Sequence, residues 1–215
     1  DNPVLYNTVK DVSHLAKLPM PKVYIINTST PNAFATGRNP KNAAVAATTG
    51  ILDLLTKDEL KGVIAHELAH IKNRDILIAS IAATIAGAIS MMAMMARWAA
   101  IFGGFRGSDR DGENIISLLV LAILTPIIAL IIQLAISRSR EYLADEKGSK
   151  FIHNPLALAS ALEKLHKGNK HHPLRFGSKT GASLFIVNPF SSRSFLTLFS
   201  THPSVEDRIN RLRRL

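Results

Sequence analysis

TKDELKGVIAHELAHIKNRD, residues 56–75, carries both a helix and its chemistry. Thr56 with Glu59 three residues on is a capping box, and Leu60, Val63, Ile64, Leu68 and Ile71 follow at helical spacing. On such a helix His66 and His70, four residues apart, stand one turn above each other and can present ring nitrogens to one metal ion. Glu67 then sits beside that ion. Two imidazoles supply half of a tetrahedral zinc shell; a catalytic zinc needs one further protein ligand and an open position for water. HExxH also arises by chance, but a capped amphipathic helix is the setting its chemistry requires.

The third ligand does not follow directly in sequence. The extension HExxHxxGxxH would need Gly and His where Asn73 and Ile76 stand. The best candidate is Glu141 in SRSREYLADEKG, with Asp145 four residues later on the same helical face, placed to orient a ligand histidine through its free ring N–H. Arg138, Arg140, Lys147 and Lys150 lie close by, so a solvated salt-bridge face is the competing reading of this segment.

Composition narrows the class. The 215 residues are 47% hydrophobic and carry a net charge of +10, and there are no cysteines, so a zinc ion must be held by His and carboxylate. Residues 76–96 and 115–137 are free of charge, each about the ~20 residues needed to cross a hydrocarbon core. They predict a transmembrane hairpin, with spans at about 76–99 and 115–137 and a kink at Pro126; two buried helices of a soluble core are the alternative. Met91, Met92, Met94 and Met95 are lipid-facing or packing residues. The loop from Arg97 to Glu113 has three basic and three acidic residues, so the basic excess lies on the other side, where Lys72, Arg74, Arg138 and Arg140 crowd the span ends. The positive-inside rule then puts that side in the cytoplasm, against anionic headgroups. No nucleic-acid recognition pattern accompanies the charge. The chain starts at Asp1 with no signal-peptide pattern and is expected to be a fragment or processed form.

Around the hairpin, a short helix ends before Pro19 and Pro21, and strands are predicted at 22–27, 33–37 and 43–48, forming a small β-meander. An exposed edge of that sheet could take an extended peptide through its main chain; Asn32, Ala33, Phe34 and Ala35 are assigned to this role, a plain structural hairpin being the alternative. A second amphipathic helix runs from Asn154 and Pro155 to Gly168, followed by a polar loop from Lys167 to Ser183. His14, His153, His166, His171 and His172 read as surface histidines. The expected fold class is α+β and mostly helical: a β-meander packed on a zincin-type helix, interrupted by the inserted hairpin. Residues 1–75 and 138–215 form the two parts of a catalytic domain, and 76–137 the hairpin. If both spans continue as helices, the ligands meet roughly 5 to 15 Å above the hydrocarbon boundary.

HELAHIKNRD, the two hydrophobic segments, REYLAD and THPSVEDRI, together with PNAFATGRNPKNAAVAATTGIL upstream, resemble the HtpX family of membrane zinc metalloproteases, relatives of the CAAX prenyl proteases and the mitochondrial Oma-type protease. The resemblance covers nearly the whole chain. It implies one zinc ion on His66, His70 and Glu141, Glu67 as general base, and polypeptide substrates drawn from misfolded or damaged membrane proteins at the cell membrane. It further implies that His202 of the THP motif contacts substrate or the developing oxyanion, with Arg208 bracing it through carboxylates, and that further spans precede Asp1. The competing functions are a zinc-holding scaffold or chaperone subunit without turnover, a site-2-type intramembrane protease and a CAAX-type protease.

Overall fold

The computed structural model describes residues 2–103, 112–171 and 203–215. The loop expected between the spans, at 104–111, and most of the polar loop after His171 lie outside them, as does His202. Helix dominates: α1 (Pro3–Leu15), α2 (Thr49–Leu54), α3 (Lys57–Asn73), α4 (Asp75–Gly103), α5 (Gly112–Ile152), α6 (Pro155–His171) and α7 (Val205–Leu212). Three strands, β1 (Lys22–Ile26), β2 (Ala33–Asn39) and β3 (Asn42–Thr48), make one small sheet.

That sheet is not a meander. Its order is β1-β3-β2: β2 and β3 form an antiparallel hairpin, and β1 lies parallel to β3, with Lys22 opposite Ala44 and Ile26 opposite Thr48. Burial explains the difference. Most of β3 is buried on both faces, as its unbroken run Ala-Ala-Val-Ala-Ala permits, whereas β1 and β2 keep exposed positions. A strand without polar alternation belongs in the middle of a sheet.

Contacts divide the chain into two units, residues 1–77 with 138–215, and residues 78–137. The first has its core around α3. Leu5, Val9 and Val12 of α1, Val45 and Ala47 of β3, and Leu158, Leu162 and Leu165 of α6 close on Val63, Ile64 and Leu68. The expected capping box is present: Glu59 N–H donates to Thr56 Oγ1 at 3.4 Å and Thr56 N–H to Glu59 Oε2 at 2.8 Å. Ser160 and Lys164 of α6 also bind this carboxylate, at 2.6 and 2.8 Å. Burial acts to raise the Glu59 pKa, but these hydrogen bonds outweigh it and hold it at about 2.

In the second unit large apolar side chains face outward; Ile81, Ile85, Met91, Met95, Ile128 and Ile132 are all half exposed or more. Asp75–Ala99 and Ile123–Ile152 are helical stretches long and apolar enough to cross a bilayer. α5 runs unbroken through Pro126 and on past Glu141 to Ile152. The motif helix does not continue in the same way. α3 stops at Asn73 because Arg74 adopts φ 55° and ψ 43° and gives its N–H to His70 and Ile71 carbonyls, so the chain turns before α4 begins.

α5 approaches α3 closely at Gly148. A Cβ there would come within 2.8 Å of His66 N and 2.9 Å of the Ala65 carbonyl carbon, both backbone atoms that cannot step aside. Gly148→Ala is expected to cost about 1–3 kcal/mol, as overpacking does. Thermal unfolding of the detergent-solubilised protein measures this, and a melt equal to wild type would show that the two helices separate without cost.

Candidate metal centre

Burial of α3 on nearly every side puts its motif residues inside the protein: His66 is 1% exposed and Glu67 6%. The two histidines turn Nε2 toward each other at 3.0 Å. From α5, Glu141 brings Oε2 to 3.6 Å from His66 Nε2 and Oε1 to 3.6 Å from His70 Nε2. One ligand atom from each of these three residues can be chosen so that all lie within 4.8 Å of one another, the one group of this kind among the described residues. Bonds of about 2.0–2.1 Å in a tetrahedron separate ligand atoms by roughly 3.4 Å. The donor types and spacing therefore fit zinc.

The far nitrogen of each ring meets a carboxylate. His66 Nδ1 is 2.9 Å from Asp145 Oδ1, and His70 Nδ1 is 2.6 Å from Asp75 Oδ2. Behind Asp145 stands Arg208 of α7, 1% exposed, whose Nε donates to Oδ2 at 2.8 Å and Nη2 to Oδ1 at 2.7 Å; its Nη1 lies 3.2 Å from Glu141 Oε2. Behind Asp75 stands Arg140, donating from Nε at 2.5 Å and from Nη2 to the same carboxylate oxygen.

Electrostatics follow from burial and these partners. Burial pushes the Glu67 carboxyl up and Glu141 adds to this, against the pull of His66 and His70 and a hydrogen bond from Ala35. For His70 burial works downward, but the Asp75 hydrogen bond and the Glu141 and Glu67 carboxylates overcome it and push its pKa up to about 9.

The residues singled out in the sequence are mostly brought together. His66, Glu67, His70, Glu141, Asp145 and Arg208 form one cluster. Arg208 braces Asp145 and Glu141; the expected link to His202 falls outside the described residues. Along β2, Ala35 N–H donates to Glu67 Oε2 at 2.8 Å, so the strand borders the site. Asn32 is different: its N–H is bound to Thr48 Oγ1 at 2.9 Å and its carbonyl accepts from Thr48 N–H at 2.9 Å, which commits its main chain to β3. By the alternation of antiparallel pairing, Phe34 also turns its main chain to β3, while Ala33 and Ala35 turn theirs away from it; Ala33 is fully buried, and the Ala35 N–H is held by Glu67.

Asp75 and Arg140 were not anticipated as neighbours of the candidate ligands His66, His70 and Glu141. Counting along a helical face reaches three or four residues, and Asp75 is five from His70 across the Arg74 bend.

Comparison with known proteins gives the family. The family description "Peptidase family M48" matches residues 1–215. "Protease HtpX homolog" of Syntrophobacter fumaroxidans is 58% identical over 217 residues, covering 100% of this chain and 77% of the relative. The protein of the same description from Thermococcus kodakarensis is 56% identical, covering 99% and 73%. Among solved structures, S. mikatae Ste24p superposes with a TM-score of 0.62 at 20% identity, over 99% of this chain and 50% of that one, a likeness of fold. With a family match over its whole length and more than half its residues shared with HtpX proteases, the chain belongs to peptidase family M48 and to its HtpX group.

Proposed function

We propose that this member of a protease family hydrolyses peptide bonds as a membrane-integrated zinc endopeptidase, with one zinc ion on His66, His70 and Glu141 and with Glu67 as general base. The carrying observation is the convergence of both Nε2 atoms, 3.0 Å apart, and the Glu141 carboxylate beside a buried Glu67. Zinc, when bound, supplies Lewis-acid polarisation of the scissile carbonyl and lowers the pKa of water to about 7.

The chain's own residues do the rest. Glu67 accepts the proton of the attacking water and returns it to the leaving amine. The Ala35 N–H holds one carboxylate oxygen, at 2.8 Å, and leaves the other for this transfer. Asp145, carried by Arg208, accepts the His66 Nδ1 proton and so keeps the Nε2 lone pair pointing inward. An extended substrate adds along β2 on the side that faces away from β3, the side that Glu67 borders. His202, by its place in the THP motif, contacts the substrate or the oxyanion.

The apolar outward faces of α4 and α5 support a bilayer-embedded hairpin, and the basic residues at its near ends support a cytoplasmic catalytic side facing anionic lipid. Misfolded or damaged membrane proteins are the substrate class that the HtpX resemblance implies.

Metal removal tests this reading. Detergent-purified protein is expected to cleave unfolded casein, to stop when zinc is stripped by chelator, and to resume on return of one equivalent of zinc. Cleavage that continues in metal-free protein would refute it.

A further inference from the structure

We infer that Asp75 and Arg140 are positioning residues of the metal centre: Asp75 sets the tautomer and tilt of the His70 ring, and Arg140 holds Asp75. This rests on the zinc peptidase reading above and extends it to two residues outside the ligand set.

The first part of the argument is chemical. His70 Nε2 faces His66 Nε2 and Glu141, while Nδ1 faces Asp75 Oδ2 at 2.6 Å. A neutral imidazole carries one proton. If Nδ1–H is given to Asp75, the lone pair on Nε2 is left for a metal. His66 is arranged in the same way by Asp145, so each ligand histidine has its own carboxylate.

The second part is geometric. On an unbroken helix a residue five positions on is rotated by about 140° and could not meet the His70 ring. The left-handed conformation of Arg74 ends α3 and brings Asp75 back to it. That elbow is gripped from α5. Arg140 donates to Asp75 from Nε and Nη2, and its Nη2 lies 3.4 Å from the Asn73 carbonyl; about two turns further on, Lys147 Nζ reaches Asn73 Oδ1 at 2.6 Å. Arg140 also precedes Glu141 in sequence. α5 thus supplies one metal ligand and, from the next residue, the brace for the partner of another.

The bland alternative is that Asp75 is simply an acidic residue in the first turn of α4, favourable to the helix dipole and paired with a nearby Arg. The pair is mostly buried, with 11% of the Asp75 side chain and 22% of Arg140 exposed, and it sits on a ring nitrogen of a ligand. A dipole residue needs neither.

The test uses the full chain in detergent with Asp75→Ala, Asp75→Asn, Arg140→Gln and Arg140→Lys. Zinc affinity is measured by competition with a chromogenic chelator, the visible spectrum is recorded after cobalt substitution, and the metal-free proteins are melted. Asp75→Ala is expected to weaken zinc binding about 10- to 100-fold and to shift the cobalt bands. Asp75→Asn keeps an acceptor for Nδ1–H but loses the charge that Arg140 holds, so its loss should be smaller; it also decides the matter if the alanine variant does not fold. Arg140→Gln should weaken zinc less than Asp75→Ala, with partial recovery in Arg140→Lys. Wild-type zinc affinity in both Asp75 variants, with or without a lowered melt, would overturn the inference and leave the peptidase reading standing. Failure of the wild-type protein itself to bind zinc or cobalt would sink that reading and the inference with it.

Discussion

Glu67→Gln is expected to bind zinc as wild type does and to lose about 10²- to 10⁴-fold in turnover, the range that a positioned general acid–base supplies. The substitution is nearly isosteric. The amide oxygen can still accept the Ala35 N–H that now binds Oε2 at 2.8 Å, so neither β2 nor α3 has reason to move. What is lost is the proton acceptor. Glu67 is not within the ligand group of His66, His70 and Glu141, which is why metal content and activity should separate. Metal analysis and casein cleavage on the same preparation give both numbers. Turnover within a few-fold of wild type would remove Glu67 from the mechanism; loss of zinc together with turnover would mean that it holds the site rather than the proton.

Arg208→Met should destabilise the protein by about 3–5 kcal/mol, the cost of leaving buried charges without their partner. The guanidinium is 1% exposed, makes two hydrogen bonds to Asp145, and stands 3.2 Å from Glu141. Burial works to lower the Arg208 pKa, but these two carboxylates and Glu67 hold the group firmly charged. Methionine fills much of the volume but leaves Asp145, 4% exposed, and Glu141, 7% exposed, to repel each other in a poor solvent for charge. A surface pair makes the comparison. Arg213 and Glu163 are 3.6 Å apart with about half of each side chain in solvent, so Arg213→Ala should cost at most about 1 kcal/mol. Thermal unfolding of metal-free protein in detergent separates the two. Equal shifts for Arg208→Met and Arg213→Ala would show that the buried network carries no special weight. The measurement belongs on the metal-free form, because a bound cation would itself offset part of the carboxylate charge.

Much of this site could be read before any fold was known. The capping box of Thr56 and Glu59, the four-residue spacing of His66 and His70, and the pairing of Glu141 with Asp145 are facts of helical geometry over a few residues. They hold wherever the helix is placed. The strands also lie within a residue or two of where turn signals put them, and the two uncharged stretches are helical among the described residues. The order of the sheet was not legible. Strand pairing depends on which strand is buried on both faces; β1 finds β3 rather than β2 because the small apolar residues of β3 take the central place. Nor did the main-chain commitment of Asn32 to Thr48 show in the sequence, since a hydrogen bond across sixteen residues leaves no local mark.

The sequence by itself therefore determined the chemistry on offer: two imidazoles and a carboxylate on one capped helix, further carboxylates a long way down the chain, no thiols, and two long uncharged apolar stretches. Each of these follows from residue type and local period. Only the tertiary structure decided how those groups meet. It is the close approach that Gly148 allows that sets Glu141 against the two histidines, and the left-handed turn at Arg74 that returns Asp75 to His70. Both depend on backbone approach and a single φ angle, quantities that no periodicity records, because they are fixed by what packs around them.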